Sequence, residues 1–515
     1  VAGIQGVAPG PDRRPSLRVG ARAALFAILG TALVLRAWGI ASGLPHAVGV
    51  DEPQIMGRVV RMMKTGDFNP HFFDWPSLTI YVHLVVACLV FLAGAMRGAW
   101  HSLAQVGPSD FYVHGRTVTA LTGTATVGVL FAAARRWGVT TALLAAALLA
   151  VAPNHTRESH FVLTDVPTAF FSTLALLMSL RALEQPATRA FALAGLSVGL
   201  AASCKYNGSM AVVLPVIAAG AAGGWSVLTL QWLLIVGGCT VAGFLVGTPY
   251  AVLDLPKFLN DYSRLASVFA QPRGGEAGWS LYLKYLAQSL GWVGLIAALS
   301  GLVLSIKASV TGPARARSLM LAGFTLVYYD VMATSYQIYG RYTLPLLPFV
   351  ALLAAIGVTT LAGALRPRVA ARLQPGVIAA LVLILLAPPA VRAISFDRAM
   401  ARTQTVDLAY QWLDSHVADG VVIVAETYPA QLISNRFRIS SVPPLQGKTL
   451  EQYTADGVDY VLVSAAGYEP AFKSPEKYPE ACAAYLSLFR QAREVASFPS
   501  APDVPGPEFK LLRLR

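Results

Sequence analysis

Long apolar stretches separated by short polar joints run along most of the chain, and the pattern breaks only after about residue 395. The first stretch covers about Ala21 to Ile40. Later ones run roughly Val113–Ala134, Thr140–Ala152, Phe161–Arg181, Ala190–Ser203, Ser209–Ala222, Val227–Val246, Leu290–Ile306, Ser318–Thr334, Leu344–Ala364 and Gly376–Ala393. Stretches of this kind predict helices that cross a membrane. Between the first two lies a different pattern. After Asp51-Glu52-Pro53, the residues Ile55, Val59 and Met62 recur on one helical face, with Met56, Val60 and Met63 beside them, while Gln54, Arg58, Arg61 and Thr65 share the other. That spacing predicts an amphipathic helix at the interface. Asn69-Pro70-His71 and Trp75-Pro76-Ser77 follow it as a polar, aromatic and proline-broken segment.

The charge pattern orders these elements. Basic loops hold Arg13 to Arg22, Arg135 with Arg136, Arg181 with Arg189, Lys307 to Arg317, and Arg366 to Arg372. All five fall on the cytoplasmic side only if Leu78–Met96, although long enough to span, returns to the face it left. The expectation is therefore eleven crossings, with Leu78–Met96 a re-entrant or juxtamembrane helix. The basic flank before the first span resembles a signal-peptide n-region, but the apolar run is long enough to be kept as a first helix.

Composition agrees. Of 515 residues, 55% are hydrophobic and 13% charged, with mean hydropathy +0.56, which excludes an ordinary soluble protein. The net charge of +13 sits mostly in the short loops, where it sets topology and gives no reason to expect nucleic acid. Cys88, Cys204 and Cys239 lie in apolar segments and Cys482 stands alone, so no disulfide or metal spacing is present. After residue 395 the chain alternates a helix (Thr403–His416), strands (Val421–Glu426 and Asp459–Ser464), a helix around Pro475–Arg493 and a strand (Phe509–Leu514). The fold expected is an all-α polytopic membrane domain, 1–395, with about eleven transmembrane helices plus juxtamembrane helices, followed by a small extracytoplasmic α/β domain, 396–515.

This topology collects the chemically capable residues on the outer face: Asp51 and Glu52, His160 and Asp165 in NHTRESHFVLTDVPTAFF, Lys205 in CKYNG, and Arg341 in YGRYTLPLLP. Each has a plainer reading. Asp51-Glu52-Pro53 fits helix capping, as Asp165 before Pro167 does, and Arg58 and Arg61 fit the headgroup side of an interfacial helix. Lys205 and Arg341 end apolar spans, where a charge is expensive and tends to mark function. Taken together, acids and cations on one face point to a site. Cations at the outer leaflet suit a lipid phosphate, here Lys205, Arg341, Arg58 and Arg61, and a carboxylate suits removal of a proton from an acceptor. If a sugar rides on that phosphate, one base and a cationic clamp suffice for direct displacement with inversion.

The order of these motifs also carries a resemblance. An apolar first helix, Asp-Glu, an amphipathic helix, Asn-Pro-His and Trp-Pro-Ser-Leu-x-x-Tyr come first. Arg-x-Ser-His-Phe-x-x-x-Asp-x-Pro, a Lys ending a later span and Arg-Tyr-x-x-Pro-x-x-Pro follow. The ensemble, about Arg22 to Ala364, resembles the GT-C class of integral membrane glycosyltransferases, nearest the bacterial protein O-mannosyltransferase and aminoarabinose transferase group. The resemblance implies a polyprenyl-phosphate-linked sugar donor and an enzyme of the bacterial cytoplasmic membrane whose site faces outside. By position, Asp51 matches the first-loop acid proposed as base, Glu52 its partner and Asp165 the second-loop acid, with Lys205 and Arg341 at the donor phosphate. His71, Tyr81, His160 and Tyr342 are then expected around the substrate. Some relatives hold a divalent cation through acids of the first two loops, which makes Asp51, Glu52 and Asp165 the ligands of any magnesium or manganese.

Two departures matter. Gln54 stands where aminoarabinose enzymes typically carry Arg, and Asp74-Trp75-Pro76 where they have Glu-Lys-Pro. Trp75-Pro76-Ser77-Leu78-Thr79 also replaces the mannosyltransferases' Pro-Pro-Leu-Gly-Lys. Donor sugar and acceptor stay open. A transporter of lipid-linked sugars would show internal repeats between halves, which this chain lacks. A non-catalytic assembly subunit of the envelope would leave the clustered charges without a purpose.

Overall fold

The structure is a computed structural model that describes residues 19–224, 226–271, 278–311, 314–428, 430–445 and 448–514. Arg13, Arg14 and Arg18, invoked above for topology, lie outside these. The chain enters the membrane body with α1 (Val19–Ala37), then crosses a loop containing β1 (Ala47–Val48) to reach α2 (Glu52–Thr65) and α3 (Leu78–Met96). The body continues through α4 (Tyr112–Ala134), α5 (Val139–Ala150), the short α6 (Pro153–Glu158), α7 (Asp165–Glu184), α8 (Thr188–Cys204), α9 (Val213–Gly223) and α10 (Val227–Gly247). After α11 (Tyr250–Leu253) and α12 (Leu255–Ala270), it closes with α13 (Gly278–Val310), α14 (Arg315–Ala333), α15 (Leu347–Leu365) and α16 (Gln374–Met400).

Nine helical stretches among the described residues are long and apolar enough to span a membrane, and α3 is one of them. Its packing shows why it need not. The buried face of α2, with Ile55, Met56, Val59 and Met62, meets Ile80, Leu84 and Ala87 of α3 in one cluster with Val106 and Phe111, which come after α3 has ended. Trp100 stacks on Phe91 of α3 and packs on Phe111, so the chain folds straight back to where α4 begins. Both ends of α3 thus lie at the level of α2, on the face that carries Asp51. The eleven crossings expected from the basic loops leave out α3 and add the shorter α5 and α8 and α14, whose Arg315, Arg317 and Asp330 lower its hydropathy; length and composition alone give the nine candidates among the described residues.

The opposite face is basic. Arg136, after α4, pairs with Glu184 at the end of α7, 2.8 Å away, and Arg317 of α14 donates to the Arg136 carbonyl. Inside the body, small residues let helices touch backbone to backbone. A Cβ on Gly199 of α8 would sit 2.2 Å from the Thr240 carbonyl of α10, and one on Gly301 of α13 would sit 2.0 Å from that of Leu353 in α15.

The soluble part starts with α17 (Thr405–His416), just beyond α16, which runs past the expected boundary at 395. Strands β2 (Val422–Ala425), β3 (Gln431–Leu432), β4 (Arg438–Ser441), β5 (Tyr460–Ser464), β6 (Arg493–Phe498) and β7 (Phe509–Arg513) follow, interleaved with α18 (Leu450–Ala455), α19 (Ala465–Lys473) and α20 (Pro479–Gln491). Five strands form one sheet in the order β4-β2-β5-β7-β6, parallel at β4-β2-β5 and antiparallel beyond. Helix α17 covers one side of it, and α19 and α20 the other. Separately, β3 pairs with β1, tying this domain to the loop before α2. His46 stacks on Tyr410 at 3.7 Å beside that tie.

Glu426, at the end of β2, is buried. It accepts the Ser464 N–H at 2.8 Å and the Tyr485 hydroxyl at 2.7 Å. Burial outweighs these two bonds and pushes its carboxyl up to about 7. A carboxyl raised on folding holds its proton better folded than unfolded, so its contribution to stability is full below the ordinary carboxyl range and is lost as pH rises through about 7. The thermal midpoint of the purified protein should therefore fall between about pH 5 and about pH 8, and Glu426→Gln should flatten that fall.

Candidate active site

Four charged residues meet where helices end on the Asp51 face. Asp51 occupies the N-cap position of α2 but makes no capping hydrogen bond; its Oδ2 instead lies 2.6 Å from Arg341 Nη1. Asp165 opens α7, and its Oδ1 lies 2.6 Å from Nζ of Lys205, the residue that ends α8. Lys205 Nζ also sits 4.1 Å from the Tyr342 ring centroid, a cation–π contact. Arg341 belongs to the short turn Gly340–Thr343 before α15. Burial works against its charge, but Asp165 and Asp51 outweigh burial and hold the guanidinium above its ordinary range. Its Nε is buried with no hydrogen-bond partner among the described residues.

Asp51, Lys205, Arg341 and Tyr342 open onto a cavity of about 690 Å³. Asp74, Trp75 and Tyr206 line it too, while Tyr262, Leu265 and Phe269 of α12 with Val331 and Met332 of α14 form an apolar wall. Helix α12 falls between the stretches Val227–Val246 and Leu290–Ile306 and was not among the elements expected, although Leu255, Phe258, Leu259, Tyr262, Leu265, Ala266 and Phe269 keep helical spacing there. A second cavity, about 410 Å³, lies between the membrane body and the soluble domain, with Val50, Phe161, Leu163, Gln404 and Tyr428 in its walls. Arg341 lines both.

Other expected site residues are elsewhere. Glu52 is completely buried and accepts four hydrogen bonds: from Arg116 Nε and Nη2 at 2.9 and 2.7 Å, from Gly49 N at 2.7 Å and from Val162 N at 2.9 Å. Its oxygens have no capacity left for a substrate or a metal, so it fastens α2 to α4. Arg116, a charge within an apolar span, was the signal for such a partner and was overlooked. Arg61 bonds Asp67 at 2.9 Å and the Asn69 carbonyl, and Arg58 lies over the Phe72 ring at 3.9 Å. Both brace the 66–73 loop and neither lines the large cavity. His71 is exposed and bonds Asp67 at 2.8 Å. The Arg61 bond first, then the Asn69 N–H and His71, draw the Asp67 carboxyl down to about 2. Tyr81 donates to the Phe68 carbonyl at 3.0 Å. His160 is buried, with its ring nitrogens 2.9 and 3.0 Å from the Thr156 and Trp38 carbonyls. None of these three reaches the cavity, because each is spent on holding loops.

Asp51 and Asp165 each hold a cation, Glu52 is saturated, and no group of three or more His, Cys, Asp or Glu among the described residues is placed to bind a metal.

The whole chain, membrane body and soluble domain together, has solved counterparts. ArnT of Cupriavidus metallidurans, bound to undecaprenyl phosphate, superposes with a TM-score of 0.54 at 16% identity, covering 97% of this chain and 99% of that one. This is the GT-C fold. The oligosaccharyltransferase of Archaeoglobus fulgidus in its apo form has it as well, with a TM-score of 0.56 at 13% identity, over 86% of this chain and 69% of its own. Residues 71–252 match the family described as dolichyl-phosphate-mannose-protein mannosyltransferase, a stretch that contains Asp165 and Lys205. No curated protein matches the chain in sequence. The juxtamembrane pair α2 and α3, the helical body and the terminal sheet are thus parts of one GT-C architecture in a multi-pass membrane protein.

Proposed function

We propose that the protein transfers a sugar from a polyprenyl-phosphate carrier to an acceptor at the outer face of a bacterial cytoplasmic membrane, with inversion at the anomeric carbon. The observation that carries this is a cavity with an apolar wall lined by Asp51, Arg341 and Lys205, in which Arg341 pairs with Asp51 and Lys205 with the buried Asp165 behind it. Two cations and two carboxylates balance. A phosphodiester entering here meets Lys205 Nζ and the Arg341 guanidinium, while its isoprenoid chain leaves along α12 and α14. The carrier bound to ArnT is of this chemical class.

The acceptor approaches from the smaller cavity, on the other side of Arg341. Its nucleophilic oxygen or nitrogen forms a bond to the anomeric carbon as the bond from that carbon to the phosphate oxygen breaks. The electron pair leaves on polyprenyl phosphate, and the acceptor proton passes to the Asp51 carboxylate. The departing phosphate gains negative charge, which Lys205 and Arg341 are placed to stabilise. Inversion follows from attack opposite the leaving group.

The test is purified protein in lipid, supplied with a panel of polyprenyl-phosphate sugars and a membrane extract as acceptor, with release of polyprenyl phosphate followed by mass spectrometry. Release with one sugar supports the reading and names the donor; silence across the panel overturns it. Arg341→Ala removes a charge-assisted contact of about 1.5–3 kcal/mol, so the donor Kd should rise roughly 10- to 150-fold.

A further inference from the structure

The two cations of the donor clamp stand on separate elements. Lys205 ends α8, whereas Arg341 belongs to the turn before α15. Both line one cavity and carry the same sign, so they repel each other until an anion lies between them. Their partner acids do not hold them together, since Asp165 opens α7 and Asp51 precedes α2.

A buried hydroxyl does. Tyr328 of α14, only 1% exposed, accepts a hydrogen bond from Asn207 Nδ2 at 2.8 Å and donates one to the Tyr342 carbonyl at 2.8 Å. Asn207 comes two residues after Lys205, and Tyr342 is the neighbour of Arg341. The Tyr342 ring in turn lies under Lys205 Nζ, 4.1 Å from its centroid. The contacts thus close a circuit through Lys205, Asn207, Tyr328 and Tyr342. Tyr328 is set behind the cavity wall, one helical turn before Met332, which lines the cavity. A tyrosine hydroxyl has one proton to give and lone pairs with which to receive one, and both uses are taken here. Phenylalanine would fill the same space but leave the Asn207 amide and the Tyr342 carbonyl each one bond short.

We infer that Tyr328 is a positioning residue, which with Asn207 sets the separation of Lys205 and Arg341 before the donor arrives. The inference rests on the transferase reading and deepens it: the phosphate meets a clamp of preset width, and no binding energy is spent on bringing two like charges together.

The test is the affinity of the full chain in lipid nanodiscs for undecaprenyl phosphate, in a double-mutant cycle between positions 328 and 341. Tyr328→Phe should raise the Kd roughly 2- to 10-fold, the range of one lost hydrogen bond. In the Arg341→Ala background, where no second cation is left to place, it should raise the Kd no further. A hydroxyl that only stabilised the fold would weaken binding by the same factor in both backgrounds. Asn207→Ala breaks the link from its other end and should match Tyr328→Phe, with no greater loss when the two are combined. Unchanged thermal midpoints confirm that the variants fold. Equal Kd in wild type and Tyr328→Phe, or the same loss with and without Arg341, overturns the inference and leaves the transferase reading standing. A wild type that does not bind undecaprenyl phosphate overturns that reading and the inference with it.

Discussion

Asp51→Asn is expected to lower sugar transfer by roughly 10²- to 10⁴-fold, the range that loss of a general base produces. The amide keeps the size of the side chain and can still accept a hydrogen bond from Arg341, so the cavity keeps its shape while the proton acceptor is gone. Binding of the lipid phosphate should be close to wild type, because Lys205 and Arg341 remain. Two measurements on the same preparation check this: release of polyprenyl phosphate, and its retention by native mass spectrometry. Full transfer by the variant would remove Asp51 from the chemistry. Loss of both transfer and binding would make it a scaffold for Arg341.

Glu52→Ala should fail in another way. It leaves Arg116 fully buried without its counter-ion, and breaking a buried pair from one side costs about 3–5 kcal/mol. That is a large part of the 5–15 kcal/mol by which a typical domain is stable. The variant should show a lowered thermal midpoint and poor recovery from the membrane. The double variant Glu52→Ala with Arg116→Leu should regain much of the loss, since removing both charges leaves none uncompensated. A Glu52→Ala protein that is stable yet inactive would return Glu52 to the catalytic group. Two adjacent acids, indistinguishable in a sequence, are thereby separable by experiment.

That pair also shows how far the sequence can be read. The apolar runs were enough to locate the helices of the body, because a long hydrophobic stretch reads as a helix without any knowledge of packing. Asp51, Asp165, Lys205 and Arg341 could be picked out because an ionised side chain at a membrane boundary needs a reason. Whether a polar residue serves the cavity or a neighbouring loop was not legible. Arg61 faces the polar side of α2 as expected, but its partners Asp67 and the Asn69 carbonyl were fixed only when the 66–73 loop folded back. In the soluble domain β2, β5 and β7 were found by their alternating or continuous apolar residues. The two-residue β3 and the half-exposed β4 carry too little pattern to announce themselves.

The short ribbon of β1 and β3 has a practical consequence. Val48 pairs with Gln431, and only two residues separate it from Asp51; Gln431 also donates to the Val50 carbonyl at 3.1 Å. The soluble domain is therefore a lever on the proposed base. A swap of that domain between homologous enzymes, intended to exchange acceptors, would tilt Asp51 as well unless residues 46–50 travel with it. Chimeras cut simply at the end of α16 should confuse a change of substrate with damage to the chemistry, and those that carry both halves of the ribbon should not.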